Sequence, residues 1–246
     1  MISEQFSRTE MLLGPDNMAR LFAAKVAVFG VGGVGGSCVE ALARMGIGQL
    51  DLFDNDTVAV SNINRQIIAT HNTVGQYKVE VMAARILSIN PAAKVGAHRL
   101  FYLPETADQV DIGQYDYIVD AVDTVSAKLE LVCRATAAGV PIISAMGAAN
   151  KMDPTAFAVT DIYQTESCPL ARVMRRELRK RHIPALKVVF SREVALTPQF
   201  GDTAPIDPDS ARRAIPASNA FVPPVAGYIL AGAVIQDLIA PINSPV

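Results

Sequence analysis

Residues Lys25 to Asp56 read KVAVFGVGGVGGSCVEALARMGIGQLDLFDND, in the order strand, glycine loop, helix and strand. The apolar run Lys25–Phe29 predicts the first strand, and Ser37–Met45 continues the glycine loop as a helix that ends at Gly46. Gln49–Phe53 predicts the second strand. This order is that of a βαβ unit, whose glycine loop offers backbone N–H groups to a phosphate. The stretch therefore predicts an α/β fold that binds a nucleotide.

Glycines and acids of this stretch form the first part of a candidate nucleotide site. Close packing of a helix on a strand also explains a glycine loop, but its place between the two favours a nucleotide. Asp54 lies at the carboxyl end of its strand, about twenty residues after the loop, where an acid suits a ribose hydroxyl. Asp54 and the following Asp56 are, taken singly, also common turn caps. The candidate glycines are Gly30, Gly32, Gly33 and Gly35.

Two cations follow, Arg65 in the run Ser61-Asn62-Ile63-Asn64-Arg65-Gln66 and Lys78 in the first turn of the next predicted helix. Taken singly, Arg65 is more commonly a surface ion-pair partner and Lys78 a solvated helix residue. A nicotinamide dinucleotide carries only a pyrophosphate, which the loop satisfies by itself. Fixed cations suit a triphosphate under attack, because charge accumulates on its oxygens as pyrophosphate leaves. Together the two cations favour ATP chemistry over a dehydrogenase or a noncatalytic dinucleotide sensor.

Composition and charge bound the class of protein. Half of the 246 residues are hydrophobic, which suits a buried parallel sheet flanked by helices. The net charge of −2 gives no general attraction to nucleic acid, so a polyanionic partner requires a local basic patch. The three cysteines form no Cys-x-x-Cys pair and indicate a reducing compartment. Because the N-terminus does not resemble a secretory signal and the apolar run Val225–Ile235 is short for a bilayer, we expect a cytoplasmic protein outside the membrane.

The whole pattern predicts a single domain over residues 1–246. Residues 1–24 are expected to form an N-terminal helical segment, residues 25–146 the nucleotide-binding core, and residues 147–246 a substrate-binding extension. The expected fold is α/β, a doubly wound Rossmann-like, mostly parallel sheet with helices on both faces and a C-terminal α+β extension. Further predicted elements are a strand at Tyr115–Ala121, helices at Pro104–Gln109, Leu129–Ala138 and Leu170–Arg181, and a loop at Gln199–Asn219.

With two further motifs, Gly75-x-x-Lys78 and Asp120-Ala121-Val122-Asp123, the first half resembles the adenylating enzymes related to ubiquitin activation, the ThiF/MoeB family. The resemblance implies that Asp54 holds the ribose, that Asn62, Arg65 and Lys78 meet the phosphates, and that Asp123 binds the Mg²⁺ associated with ATP. A hard carboxylate suits magnesium. The implied catalytic residues are Arg65, Lys78 and Asp123. The implied nucleotide-binding residues are Gly30, Gly32, Gly33, Gly35, Asp54, Asp56, Asn62, Arg65, Gln66, Lys78 and Asp123.

The second half separates two branches of this family. Activators of sulfur-carrier proteins usually carry two zinc-binding Cys-x-x-Cys pairs, and this sequence has none. Its runs Gly147–Thr155, Val159–Asp161, Phe190–Glu193 and Phe221–Pro224 look like the branch that acts on tRNA. Members of that branch use ATP to activate the threonyl carboxylate of N6-threonylcarbamoyladenosine, and ring closure expels AMP. The alternative is an adenylyltransferase that activates the C-terminus of a sulfur-carrier or ubiquitin-like protein.

A basic helix is independent support for a tRNA substrate. Leu170, Val173, Met174 and Leu178 predict an apolar stripe, which leaves the arginines on another face. An ordinary solvated face is the plain interpretation, but one-sided charge in a slightly acidic chain favours a phosphate-backbone contact. The arginines predicted to bind tRNA are Arg172, Arg175, Arg176 and Arg179.

Cysteines and further partners remain open at this point. Cys38 and Cys133 are predicted core residues, and Cys168, just before the basic helix, is more plausibly a plain thiol than an acyl acceptor. The family resemblance also implies a homodimer. A Na⁺ or K⁺ site and a cysteine desulfurase or sulfur acceptor partner are further expectations that no motif decides.

Overall fold

A computed structural model describes residues 4–199 and 216–239 and places one sheet at the centre of the fold. Its seven strands are β1 (Lys25–Phe29), β2 (Gln49–Phe53), β3 (Lys94–His98), β4 (Tyr117–Asp120), β5 (Ile142–Ala145), β6 (Phe157–Asp161) and β7 (Lys187–Ser191). Their order in the sheet is β3-β2-β1-β4-β5-β7-β6. All neighbouring strands are parallel except β6 and β7, which are antiparallel. The predicted α/β fold with a mostly parallel sheet is confirmed.

Helices cover both faces of the sheet. They are α1 (Ser7–Leu13), α2 (Pro15–Ala23), α3 (Gly33–Arg44), α4 (Lys78–Ile89), α5 (Val125–Ala138), α6 (Pro169–Lys180) and α7 (Val222–Ile239). Successive side chains of a strand point to opposite faces. In β1, Val26 and Val28 therefore lie in the core beside α3, α4 and α7, whereas Ala27 and Phe29 lie in the core beside α5.

The closing helix α7 is packed directly on α3, the helix that follows the glycine loop. A Cβ atom at Gly227 would lie 2.2 Å from the backbone oxygen of Val34, so this approach requires glycine. At its far end, Asp237 accepts hydrogen bonds from Tyr117 Oη at 2.6 Å and Lys187 Nζ at 2.7 Å. By length and composition α7 would suffice to cross a membrane, but half of it is buried inside the fold. The apolar run Val225–Ile235 therefore lies in a partly buried closing helix that begins at Val222.

Several predicted boundaries are wrong. The helix after the glycine loop begins at Gly33 instead of Ser37, because tertiary packing overrides the low helix propensity of glycine. Only a 3₁₀ turn at Ala107–Gln109 forms within the helix predicted at Pro104–Gln109. The helix expected from Leu129 begins one turn earlier, at Val125. The predicted loop Gln199–Asn219 falls largely on residues 200–215, which lie outside the described residues.

Candidate active site

A cavity of about 660 Å³ opens at the carboxyl ends of the central strands. The strand order runs outward in opposite directions from β1 and β4, and ligands of open α/β sheets bind at such a switch point. Every residue of the predicted nucleotide-binding set lines this cavity except Gly35. Those residues are Gly30, Gly32, Gly33, Asp54, Asp56, Asn62, Arg65, Gln66, Lys78 and Asp123.

The glycine loop is shaped by close backbone contacts. Gly30 has φ +87°, and a Cβ atom there would lie 2.6 Å from the backbone oxygen of Ala121 at the end of β4. A Cβ atom at Gly35 would lie 1.8 Å from the backbone oxygen of Gly30. Gly35 thus lets α3 begin against the loop, although it does not line the cavity. The loop stays open to a ligand because no side chain occupies it.

Asp54 holds the glycine loop to the end of β2. Its carboxylate accepts hydrogen bonds from Val31 N at 2.7 Å and from Asp56 N at 2.9 Å. Burial raises the pKa of Asp54, while the nearby Lys78 charge and the two backbone N–H groups oppose that increase. Asp54 therefore caps a turn, which is its plain interpretation from the sequence, and it also lines the cavity.

Lys78 begins α4 and carries its ammonium group into the cavity wall. Its side chain is 7% exposed, and Nζ contacts Asp56 Oδ2 at 2.6 Å. Asp56 is 62% exposed, so water can solvate its carboxylate without the Lys78 partner. A buried cation with one exposed counterion is a suitable phosphate ligand.

The segment from Asn62 to Gln66 is fixed by its own hydrogen bonds. Arg65 Nη1 donates to Ser61 O at 3.0 Å and to Asn64 Oδ1 at 2.9 Å, which leaves its other N–H groups for the cavity. Asn62 Oδ1 accepts from Ala59 N at 3.1 Å and caps the turn. Gln66 is buried, and among the described residues its Oε1 has no hydrogen-bond partner. Buried polar groups are normally paired, so a ligand would complete this amide.

Asp123 lies on the loop between β4 and α5, exposed at the cavity. Its Oδ1 accepts from Thr124 Oγ1 at 3.4 Å. Within the described part of the chain, no cluster of three or more His, Cys, Asp or Glu side chains is arranged to hold a metal. Mg²⁺ typically takes one or two carboxylates together with substrate phosphates. The Asp123 carboxylate therefore fits a magnesium ion that arrives with a nucleotide.

Sequence reasoning missed a charged network beneath this cavity. Lys128 of α5 is fully buried and donates to the carboxylate of Asp120, to Ser144 Oγ and to Ala145 O. The sequence places Asp120 only in the motif Asp120-Ala121-Val122-Asp123. The available signal was helical spacing, because Lys128 precedes Leu131 by three positions and Val132 by four, and both are buried. A lysine on the buried face of a helix requires an internal partner.

Comparisons with known proteins show the family of this chain. The model of the ThiF family matches residues 6–240. The chain belongs to the ThiF family. It is 44% identical to the tRNA threonylcarbamoyladenosine dehydratase of Bacillus subtilis over 97% of this chain and 96% of that protein. Two solved structures of the Escherichia coli tRNA N6-threonylcarbamoyladenosine dehydratase match 97% of this chain and 97% of their own chain. The complex with AMP has a TM-score of 0.86 at 32% identity, and the complex with ATP has a TM-score of 0.84 at 31% identity. The family resemblance inferred from the motifs is confirmed.

In this ThiF family chain, the arginines predicted to contact tRNA do not form one uninterrupted face. Arg175 is half-buried and donates to Thr165 O at 2.9 Å, and Arg179 lies 5.1 Å from the Tyr163 ring centre. Glu177 sits within the basic surface and pairs with Arg176, Lys180 and Arg181. Helical spacing does not reveal these pairings, and tRNA contact by the four arginines stays a prediction. Arg172, Arg176 and Arg179 are exposed on the helix whose first turn places Leu170 at the cavity.

The cysteines of this ThiF family chain behave as structural residues. Burial raises the pKa of the thiols of Cys38 and Cys133. Cys168 is buried in a hydrophobic cluster beside α6. Cys38 and Cys168 are buried in apolar surroundings, where a thiol is inert, whereas Cys133 is half-buried on α5.

Proposed function

We propose that this chain is an ATP-dependent tRNA threonylcarbamoyladenosine dehydratase. One observation carries the proposal. A switch-point cavity lined by a glycine loop, Arg65, Lys78 and Asp123 occurs in a chain that matches a dehydratase of that name over 97% of its length. Activation of a sulfur-carrier or ubiquitin-like protein would use the same ATP site. The similarity over nearly the whole chain favours the tRNA substrate over that alternative.

ATP is expected to lie with its phosphates over the glycine loop. The loop N–H groups and the start of α3 suit the phosphates, and Asp54 at the end of β2 suits the ribose. Arg65 and Lys78 then neutralise the charge that develops on the transferring phosphates. Asn62 and Gln66 supply amide groups beside the loop. These roles are proposals, supported by the shared position of the residues on one cavity wall.

The reaction proceeds in two steps. In the first, a carboxylate oxygen of the threonyl group attacks the α-phosphorus, and the bond from that phosphorus to the leaving pyrophosphate breaks. The carboxylate is already ionised at neutral pH, so no strong general base is required. In the second, the neighbouring carbamoyl group attacks the acyl carbon and loses one N–H proton to solvent, while the bond from the acyl carbon to the AMP oxygen breaks and AMP leaves with that electron pair. Mg²⁺, held by Asp123 and the phosphates, would supply charge neutralisation to the first step.

Assembly and location follow from the resemblance and remain proposals. A homodimer would cover apolar groups such as Met11 and Leu12, which are exposed on α1. Residues 147–246 are proposed as the substrate-binding part, a cytoplasmic location follows from the tRNA substrate, and the chain is proposed to act away from membranes. A Na⁺ or K⁺ site and a cysteine desulfurase partner are further family-based proposals.

The function is tested by offering the purified protein alternative acceptors with ATP. We expect AMP, pyrophosphate and cyclised nucleoside in equal amounts with tRNA that carries threonylcarbamoyladenosine, measured by chromatography and nucleoside mass spectrometry. The same tRNA without the modification is the matched control and should give none of the three. Pyrophosphate exchange with a sulfur-carrier protein, and none with modified tRNA, would replace this proposal with the alternative.

The exposed arginines of α6 should contribute to tRNA binding. We expect the Arg172→Glu/Arg176→Glu variant to raise the KM for tRNA by about tenfold or more and to reduce its salt dependence, because phosphate contacts are lost. The kcat and the KM for ATP should stay the same. Lys94→Glu reverses a charge at the opposite edge of the sheet and serves as control. If both variants raise the KM for tRNA equally, α6 is not the contact surface.

A further inference from the structure

The carboxyl ends of β4 and β5 are joined by a fully buried charged network. Lys128 is 1% exposed and Asp120 is 0% exposed, and Lys128 Nζ lies 3.1 Å from each oxygen of the Asp120 carboxylate. The same ammonium group donates to Ala145 O at 2.8 Å and to Ser144 Oγ at 3.2 Å. Ser144 in turn donates to Asp120. Every group of the network is therefore paired.

Stability alone does not account for such a network. Removing two charges from water costs several kcal/mol per ion. Proteins in which apolar residues of similar volume replace a buried ion pair are commonly as stable as the original protein, or more stable. The network lies directly beneath the candidate site, where Ala145 leads into the cavity wall Met146–Ala149. A fully paired ionic network at this location therefore has a candidate role besides stability.

The network reaches the cavity through two backbone segments. Asp120 Oδ1 accepts from Val122 N at 3.3 Å, on the loop that carries Asp123. On the other side of the ammonium group, Ala145 O belongs to the last residue of β5. Lys128 thus ties together the loop that presents Asp123 and the start of the opposite wall. Among the contacts of the described residues, neither of these two segments pairs with another buried cation.

We propose that Lys128 is a positioning residue that fixes the Asp123 loop against the nucleotide. It acts through Asp120 and does not touch the substrate. The proposal rests on the proposed role of Asp123 toward magnesium-bound ATP. Loss of the network should therefore weaken nucleotide binding when Asp123 is present and should have no effect when Asp123 is replaced.

A double-mutant cycle on nucleotide affinity tests this proposal. Asp120→Asn/Lys128→Met removes both charges at similar volume and retains an acceptor for Val122 N. We expect this paired variant to weaken magnesium–ATP binding by about tenfold, a coupling of ordinary size for residues in one network, as measured by calorimetry. In an Asp123→Asn background the paired change should have no further effect. In an Arg65→Ala background the tenfold loss should persist.

Two further measurements keep the outcome decisive. Thermal unfolding of each variant shows whether the fold is kept, and Ser144→Ala gives a milder perturbation that retains the ion pair and should show the same dependence on Asp123. Equal losses with and without Asp123 would overturn the positioning role. Measurement of nucleotide binding needs no tRNA. If the wild-type protein binds magnesium–ATP but does not cyclise tRNA, the dehydratase proposal is disproved. The test of Lys128 can still be carried out in that case.

Discussion

We expect the Lys78→Ala variant to lose ATP-dependent cyclisation, with turnover lower by about 10²- to 10³-fold, the usual effect of removing one fixed group that stabilises transition-state charge. The structural reason is the burial of the Lys78 side chain in the cavity wall, where the ammonium group is held at the start of α4. Water cannot replace a preorganised cation at that position. Arg65→Ala should have an effect of the same order, because Arg65 is anchored on the same wall.

The measurement is ATP–pyrophosphate exchange in the presence of modified tRNA, with tRNA binding followed separately. Binding of tRNA should survive in Lys78→Ala, since the loss concerns the phosphates of ATP. Lys94→Ala is the matched control, an exposed lysine at the first residue of β3 and outside the cavity. Its exchange rate should equal that of the wild type. Full activity of Lys78→Ala would disprove the assigned role.

Folding stability should change little in Lys78→Ala, which separates a catalytic effect from unfolding. The counterion that loses its partner, Asp56, is 62% exposed and is readily solvated. Removing Lys78 therefore leaves no buried charge without a partner, which is the change that destabilises a protein strongly. Lys128 differs in this respect, because its partner Asp120 has no access to water. Removing Lys128 alone is therefore expected to cost far more stability than removing Lys78.

The central strands were predictable from the sequence alone. The strands Lys25–Phe29 and Gln49–Phe53 agree with the prediction to the residue, because each is a short run bounded by breakers or polar residues. Helix starts were less predictable. Gly33 to Gly36 have low helix propensity, and only the packing of α3 against the loop and α7 makes them helical.

The candidate site was predictable where its residues lie in contiguous motifs. Gly30, Asp54 and Arg65 each belong to a run with a recognisable spacing, and all three line one cavity. The role of Lys128 could not be predicted, because a single lysine in a helix belongs to no recognisable motif and its partners lie on separate strands. Glu177 was overlooked for a related reason. Helical spacing tells which residues share a face, but not which of them pair.

The family and the function were predicted from the motifs and agree with the comparisons. The prediction of tRNA rather than a carrier protein as the substrate depends on the second half of the sequence, where spacing gives no chemical rule. There the resemblance of whole runs, such as Gly147–Thr155, was needed. The structure adds that this run is held in place at Asn150, whose Oδ1 accepts from Ala217 N at 2.7 Å and whose O accepts from Leu196 N at 2.7 Å.

We expect Asp123→Asn to have the second largest effect, a loss of about 10²-fold in turnover that extra Mg²⁺ only partly restores, because one anionic ligand of a hard cation is replaced by a neutral amide. The Mg²⁺ concentration for half-maximal activity should rise. Calorimetry should show weaker binding of magnesium–ATP, which reports on the site without turnover. Asp16→Asn, which changes an exposed acid outside the cavity, should leave both quantities unchanged.

The choice of Asp123 over the other acids of the cavity follows from their partners. Asp54 is already engaged by two backbone N–H groups, and Asp56 by the Lys78 ammonium group at 2.6 Å. Asp123 contacts only the Thr124 hydroxyl, at 3.4 Å, among the hydrogen bonds of the described residues. Its carboxylate is therefore the one best able to meet a cation. If Asp56→Asn shifted the Mg²⁺ requirement while Asp123→Asn did not, the metal ligand would be Asp56, and Lys78 would exchange its carboxylate partner for phosphate as the nucleotide binds.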